Sequence, residues 1–231
     1  MLAERGRFVS MTLVQLPPHM RPLAILILLL TTVSVPRASA QDPPGRIGPF
    51  VVDVHASVPV FPTDSQPLAD SRALKLGELP GRGWGGQVGA HVYPFRWKAV
   101  TFGFGGEVMI ARAATNPDPA TDLRPVEERL ISAAPQLSLN FGSAHGWSYL
   151  SGGVGRSVWA LHETGLEPSD ADVESLQTVN YGGGARWFIK NHLAFSLDVR
   201  FYDIYPGTAI PPNPGSPRTK MFIIAAGISL R

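Results

Sequence analysis

The chain has 231 residues, of which 44% are hydrophobic and 16% charged, a size that fits one domain of ordinary length. It has no cysteine, which excludes disulfides, thiolate metal sites and a cysteine nucleophile. The formal net charge is +2, but four of the 20 basic residues and only one of the 18 acidic residues precede residue 41. The remainder, with 16 basic and 17 acidic residues, is nearly neutral, so no nucleic-acid partner is expected.

The first 40 residues have the three parts of a secretory signal peptide. Arg21 precedes the unbroken apolar run 23–30, and the segment closes with Ala38-Ser39-Ala40. A basic start, an apolar stretch and an A-x-A site predict cleavage after Ala40. The alternative, an anchoring transmembrane helix, is disfavoured because the apolar run is shorter than the ~20 residues that span a bilayer. Met20 is an alternative natural start.

After residue 41, apolar side chains alternate with small or polar ones in eight segments, the pattern of β-strands with two unlike faces. The clearest is 193–202, where five large apolar residues alternate with a face that contains Asp198 and Arg200. In the glycine-rich segments 84–94, 147–162 and 176–189 the alternation does not determine which residues face inward and which face outward. In chain order the predicted strands cover 50–60, 84–94, 100–110, 131–141, 147–162, 176–189, 193–202 and 222–230.

The links between these strands alternate strictly between long and short. Bacterial outer-membrane barrels have short periplasmic turns and longer extracellular loops in this order. The sequence therefore predicts an all-β fold, an eight-stranded antiparallel up-and-down transmembrane β-barrel over 41–231, located in the outer membrane with both termini in the periplasm. Short links fall near 95–98, 142–146 and 190–192, and long ones cover about 61–82, 114–127, 163–175 and 206–218.

Aromatic residues gather beside the short links, as in the girdles where barrels meet the membrane–water interface. The alternative fold is a soluble antiparallel barrel or sandwich, with its apolar face inward. The face opposite the aliphatic residues is poor in lysine and rich in Gly, Ala and Ser, which suits a crowded lumen better than solvent. We expect the periplasmic girdle to consist of Tyr93, Phe95, Trp97, Phe141, Trp147, Tyr149 and Trp187.

Four segments carry a family resemblance: VGAHVYP at 88–94, PQLSLNFG at 135–142, GGVG at 152–155 and AAGISLR at 225–231. Through them, residues 46–231 resemble the OmpA/OmpX-type superfamily of eight-stranded barrels, and especially bacterial outer membrane β-barrel domain proteins. The resemblance implies three partners: the secretion machinery, the barrel-assembly machinery and outer-membrane lipid. The chain departs from the pattern at Arg231, where such proteins commonly end on an aromatic residue, and at Pro135, where we expect a bulge or a broken strand pair.

Charged residues on the polar faces fall at similar heights above the short links. An eight-stranded barrel is just wide enough to be filled by its side chains or to hold one small ligand. Because buried charges need partners, we expect these residues to plug the lumen as charge pairs, with a proton or ion path as the alternative. They are Asp53, His55, Glu107, Arg156, Arg186, Asp198 and Arg200.

No motif carries a catalytic or metal-binding signature. The six histidines lack ligand spacing, so neither a metal nor a cofactor is expected. Ser157 and His162 lie near a long loop, but a five-residue offset puts them on opposite faces of a regular strand. The sequence favours a non-enzymatic barrel with a structural role or loop-mediated binding or adhesion, and identifies no extracellular ligand. A narrow channel or small-ligand transporter and a lipid-modifying enzyme are the alternatives.

Overall fold

The computed structural model describes residues 45–170, 172–209 and 214–231. The predicted signal peptide, its cleavage site after Ala40 and the alternative start at Met20 lie outside these ranges. Within them, no helix combines the length and the apolar character needed to cross a membrane.

Eight antiparallel strands close into a barrel, each hydrogen-bonded to its neighbours in the chain, with the first strand also paired to the last. The predicted fold class is confirmed. The strands are β1 Phe50–Val60, β2 Gly83–Trp97, β3 Val100–Ala114, β4 Val126–Ser143, β5 Gly146–Glu163, β6 Val173–Lys190, β7 Leu193–Ile204 and β8 Thr219–Leu230.

Directly opposed residues trace the tilt of the strands. A path from Phe50 that steps to the opposed residue on each next strand returns to β1 at Val60, ten residues further on. Strand tilt and stagger of this kind are what close an eight-stranded sheet. The path passes through Val92, Phe104, Leu137, Gly152, Tyr181, Phe201 and Phe222. Apart from the glycine these side chains are apolar or aromatic, and they form a belt on the outer surface.

The inner and outer faces are unlike over most of the barrel height. On β1 the outward Val54 and Val58 are exposed, whereas the inward Asp53 and His55 are buried. A soluble barrel would show the opposite arrangement. The structure also fixes the face of a glycine-rich strand, since Gly184 points inward and a Cβ there would lie 2.7 Å from the Tyr149 hydroxyl.

Several strands continue past their predicted limits at the long-loop end. β3 ends at Ala114, and β4 and β6 begin at Val126 and Val173. In these extensions side chains still alternate between the two faces, but the apolar residues now point inward and the polar ones outward. Leu130, for example, is buried inside, whereas Arg129 is exposed outside. The predicted strands end too early because they were identified by apolar residues on the outer face, and that pattern ends where the polarity of the two faces changes.

Pro135 breaks one strand pair without shifting the register. The β4–β5 ladder passes from Ala133 opposite Arg156 to Gln136 opposite Gly153, with no pair at 134 and 135. Proline lacks the N–H that the ladder needs. The expected local break is therefore present, and no bulge accompanies it.

Four loops and three turns join the strands. The loops are named L1 (61–82), L2 (115–125), L3 (164–172) and L4 (205–218), and each turn has two residues. L1 contains helix α1, Gln66–Ser71, and a 3₁₀ helix, Leu76–Glu78. Ser65 caps α1, since its Oγ accepts a hydrogen bond from the Leu68 N–H. L1 is therefore an ordered part of the fold.

Candidate functional site

An aromatic cluster closes the lumen at the short-turn end. Trp147 lies at its centre, stacked on Phe188 with 5.0 Å between ring centroids and edge-on to Tyr93 at 5.9 Å. Ile47 and Val51 complete the cluster. Apolar side chains therefore fill this opening of the barrel.

Three of the seven residues predicted for the aromatic girdle lie in the lumen instead. Tyr93, Trp147 and Tyr149 are buried and point inward. The prediction was wrong for them because closeness to a short turn does not decide which face of the strand a residue occupies. The other four, Phe95, Trp97, Phe141 and Trp187, are between 37% and 59% exposed.

A doubly hydrogen-bonded ion pair joins β1 to β6 next to the aromatic cluster. Arg186 Nε donates to Asp53 Oδ1 at 2.8 Å, and Arg186 Nη2 donates to Asp53 Oδ2 at 2.6 Å. The Ser229 hydroxyl donates to the same carboxylate, and the Tyr149 ring centre lies 3.9 Å from the guanidinium carbon. Asp53 is 5% and Arg186 2% exposed, so each charge depends on the other in a low-dielectric interior.

A second charge cluster is built around Arg200 on β7. Its Nη2 donates to Asp198 Oδ2 at 3.1 Å, and its Nε lies 3.3 Å from Glu107 Oε2. Two tyrosine hydroxyls add hydrogen bonds, from Tyr149 to Asp198 at 2.7 Å and from Tyr202 to Glu107 at 2.6 Å. One guanidinium thus faces two carboxylates, each of which also accepts a hydrogen bond from a tyrosine hydroxyl.

His55 is held by neutral polar groups beside these charges. Its Nε2 lies 2.7 Å from Ser196 Oγ, and Gln87 Nε2 donates to its Nδ1 at 3.1 Å. Six of the seven predicted lumen residues therefore lie together inside the barrel. They are Asp53, His55, Glu107, Arg186, Asp198 and Arg200, and we call them the lumen network.

Arg156, the seventh, is not in the lumen. It is exposed on the outer surface between Val154 and Val158, and it lies opposite Ala133 and Gln177. On β5 the odd-numbered residues point inward. The glycines at 152, 153 and 155 concealed that phase in the sequence, which is why the prediction placed Arg156 on the wrong face.

Apolar side chains fill the lumen at the long-loop end. Trp159, Leu130 and Ile204 are almost fully buried there, in a cluster that we call the upper core. Leu68 and Ala69 of α1 pack into the same cluster. L1 therefore lies in the mouth of the barrel as a cap. The sequence signal that was missed is the apolar content of L1, which a solvated loop does not need: Phe61, Leu68, Leu74 and Leu79.

Three ion pairs tie the cap to the surrounding chain. Each joins a residue of L1 to a partner on L2 or on β6, so the cap is fixed on two sides. They are Arg72 with Glu174 at 2.5 Å, Lys75 with Asp122 at 2.5 Å and Glu78 with Arg124 at 3.1 Å.

Glu78 is the most strongly held member of these pairs. Its carboxylate accepts hydrogen bonds from the backbone N–H groups of Lys75 and Arg124, each at 2.8 Å, as well as from the Arg124 side chain. Burial by itself raises the pKa of Glu78, but the hydrogen bonds from Arg124 and from the two backbone groups outweigh burial and lower the pKa to about 2. The carboxylate therefore stays ionised and bonded well below neutral pH.

The described residues offer no assembled catalytic or metal site. Ser157 points into the barrel and accepts a hydrogen bond from Thr178, whereas His162 lies on the outward phase of β5. The two cannot exchange a proton directly. No group of three or more His, Cys, Asp or Glu side chains in the described ranges is placed to hold a metal ion.

Solved structures with similar architecture come from bacterial outer membranes. Neisserial surface protein A is 13% identical, with a TM-score of 0.51 over 79% of this chain and 97% of that one. The attachment invasion locus protein Ail of Yersinia pestis is 10% identical over 78% and 97%, with a TM-score of 0.48. OprG of Pseudomonas aeruginosa is 10% identical over 80% and 97%, with a TM-score of 0.42. The fold is that of an eight-stranded outer-membrane β-barrel.

At these identities the similarity extends to the fold alone. No protein-family model and no curated protein matches the sequence. The fold explains the unlike faces of the strands: the exposed apolar belt meets lipid, and the reversed pattern at the long-loop end marks where the barrel rises into water.

Proposed function

We propose that the protein is a sealed outer-membrane barrel, neither a channel nor an enzyme, that presents its extracellular loops for binding or adhesion. The observation that carries the proposal is the filling of the lumen in three layers. The aromatic cluster lies at one end, the lumen network in the middle and the upper core with its cap at the other.

The three layers act against conduction for different physical reasons. Stacked rings at one end and the apolar upper core under the cap at the other surround the lumen with apolar side chains, so an ion entering there would lose much of its hydration. In the middle, arginines and carboxylates are already paired with one another. A proton or ion path would require these pairs to separate in a low-dielectric interior.

Planar-bilayer recording tests the seal. We expect no discrete conductance steps from the protein, and steps from a variant in which 62–80 of L1 are replaced by a short Gly-Ser linker and Trp147→Ala opens the other end. Heat-dependent gel mobility would verify that both proteins are folded barrels. Steps of equal size from the unaltered protein would overturn the proposal in favour of a narrow channel.

L3 is the loop best placed to meet a partner. Leu166 in L3 is exposed, and acidic residues flank it in the sequence, among them Glu163, Glu167 and Asp170. L1 is committed to the cap, and L2 carries two of the partners that hold it. A protruding apolar side chain in an acidic surrounding suits a basic partner with an apolar contact point.

Cell-surface binding assays test the role of L3. Bacteria displaying the protein should adhere to host-matrix proteins or cells, and replacement of 164–172 by Gly-Gly should abolish the adhesion. Replacement of the exposed L2 segment 117–120 is the matched control and should leave it intact. Equal adhesion by both loop variants would remove L3 from the proposal.

The orientation and targeting of the chain belong to the same proposal. Both ends of the barrel sheet, at Phe50 and Leu230, lie on the short-turn rim, which we place in the periplasm. An epitope inserted at Gly165 should react with antibody on intact cells, whereas one after Arg231 should react only after permeabilisation. A mature N-terminus at Gln41 in mass spectrometry would agree with a signal peptide cleaved after Ala40.

A lipid-modifying activity has the least support. Ser157 and His162 lie on opposite faces of β5, so the histidine has no direct contact with that hydroxyl. We expect no fatty acid release from lipid A by the purified protein. Release that disappears in His162→Ala would replace the binding proposal with an enzymatic one.

A further inference from the structure

Two half-exposed arginines lie side by side on the outer surface where the apolar belt ends. Arg112 on β3 is directly opposed to Arg129 on β4, and Trp84 on β2 is directly opposed to Arg112. The side chains of Arg112 and Arg129 are 42% and 53% exposed, and Trp84 is 67% exposed. Like charges directly across a sheet repel, so this placement needs compensation.

Glu127 supplies only part of that compensation. Its buried carboxylate accepts hydrogen bonds from both Arg112 and Arg129. Two guanidinium groups against one carboxylate leave one formal positive charge. Elsewhere on the same rim Arg218 donates hydrogen bonds of 2.9 and 2.6 Å to Asp203, which also lies directly opposite Lys220. Two basic groups therefore meet one carboxylate at both places, and it is the groove beside the β3–β4 pair that suggests a ligand there.

An apolar groove runs down the outer surface directly below the arginines. Its upper part has a volume of about 750 Å³ and its lining includes Trp84, Gly86 and Ile110 together with the two arginines. Its lower part, of about 410 Å³, is bordered by small outward residues, Ala90, Gly106, Ala133 and Pro135. The two parts meet at Val88 and Val108, which line both.

The position of the groove decides what can occupy it. It opens on the lipid-facing belt, so its occupant in the membrane is apolar along most of its length. At its upper end a guanidinium pair with an unmatched positive charge favours an anion, and phosphate accepts hydrogen bonds from arginine in a bidentate manner. A phosphate attached to an acyl chain satisfies both ends at once.

We infer that the outer face of β2–β4 is a binding site for one phosphorylated glycolipid of the outer leaflet, of the lipid A class. In this site Arg112 and Arg129 bind a phosphate, and Trp84 lies beside the sugar to which that phosphate is attached. One acyl chain lies in the groove from Gly86 to Pro135. The assignment to the outer leaflet rests on the proposed orientation, which the epitope experiment tests separately.

Native mass spectrometry of the delipidated full-length protein in detergent tests this site. Titration with bis-phosphorylated lipid A should give one tightly bound molecule, and Arg112→Gln with Arg129→Gln should weaken binding by about tenfold or more. Gly86→Leu, which fills the groove and keeps both charges, should weaken it as well. The matched control, Arg218→Gln with Lys220→Gln, removes the same charge from the far side of the rim and should bind like the unaltered protein.

Three outcomes would overturn the inference. Equal binding of dephosphorylated lipid A would show that the arginines do not recognise phosphate. Displacement of lipid A by inorganic phosphate would show that the site binds an anion and that the groove does not bind an acyl chain. A concentration-dependent dimer that excludes lipid A and is abolished by Gly86→Leu would make the groove a contact between two copies of the chain. Unchanged heat-dependent gel mobility in every variant separates loss of binding from loss of folding.

Discussion

At the scale of single residues, an arginine–aspartate ion pair contributes differently to stability inside the barrel and on its outer surface. Arg186 with Asp53 and Arg218 with Asp203 are both doubly hydrogen-bonded, but the first pair is enclosed and the second lies at the rim. A buried charge that loses its partner cannot recover its hydration. The burial of a pair, rather than its geometry, therefore sets what the pair contributes to stability.

Asp53→Asn tests this difference. We expect it to lower the free energy of unfolding by roughly 3–5 kcal/mol, because Arg186 is left buried and unpaired. Urea unfolding in lipid vesicles, followed by tryptophan fluorescence, measures the change. Asp203→Asn is the matched control, and its effect should be several-fold smaller because Arg218 is exposed to solvent. Equal losses in the two variants would mean that the lumen is well hydrated.

Arg156 is the predicted lumen residue that lies on the outer surface instead. Because it lies on the lipid-facing surface between two valines, Arg156→Leu should leave stability unchanged or raise it, by about 1 kcal/mol or less near the interface. The same unfolding experiment applies. A loss of more than about 2 kcal/mol would return Arg156 to the lumen network that the sequence predicted for it.

These residues show what a sequence can predict at this scale. Strict alternation placed Asp53, His55 and Asp198 inward, because large aliphatic neighbours fixed the phase of β1 and β7. It failed for Arg156 on β5, where glycines interrupt the pattern, whereas Trp147 and Tyr149 on the same strand were misplaced because they were judged by their closeness to a short turn. A glycine carries no side chain to show which face it occupies, so the phase must come from the register with neighbouring strands.

At the scale of elements, the limits of the strands could be predicted from the sequence better than the packing of the cap. The alternation from 50 to 60 gave the bounds of β1, since every outward residue there is apolar. The extension of β4 from 126 to 130 was missed because its inward Leu130 and outward Arg129 reverse that pattern. L1 was predicted as a long loop, but its packing into the barrel mouth was missed, because the upper core includes Trp159 and Ile204, which lie far along the chain.

We expect the docking of the cap to depend on pH through Glu78. The folded pKa of Glu78 is lowered to about 2 from its ordinary value of 4.5. The docked state is therefore favoured by this group above pH 4.5, and that stabilisation is lost as the pH falls from 4.5 towards 2. Because the chain has no cysteine, a spin label at Asp64→Cys can report the mobility of L1.

The label should be immobile at neutral pH and gain mobility as the pH falls through that window. In Glu78→Gln the label should be mobile at neutral pH too, since the substitution removes the charge that Arg124 binds. Asp122→Asn breaks an exposed pair and serves as the control, with little effect expected. A cap that stays immobile in Glu78→Gln would show that the upper core alone holds L1 in place.

At the scale of the whole molecule, the barrel consists of a membrane-embedded part and a water-exposed part on one continuous sheet. The apolar belt follows the opposed residues from Phe50 round to Val60, and the lumen inside it is polar. Above the belt the interior is apolar and the exterior polar. The order of long and short links predicted the topology, whereas the filling of the lumen depended on which side chains meet across it.

The accessibility of spin labels on neighbouring residues shows whether the apolar face meets lipid and whether the lumen is closed. Single cysteines at the outward Ala56 and Ala133 and at the inward Ser57 and Ser132 suit the purpose, since all four side chains are small. In proteoliposomes we expect labels at 56 and 133 to collide readily with lipid-soluble oxygen, and labels at 57 and 132 to be reached by neither oxygen nor an aqueous nickel chelate. Labels at 57 and 132 that respond to the chelate, or at 56 and 133 that are shielded from oxygen, would contradict this expectation.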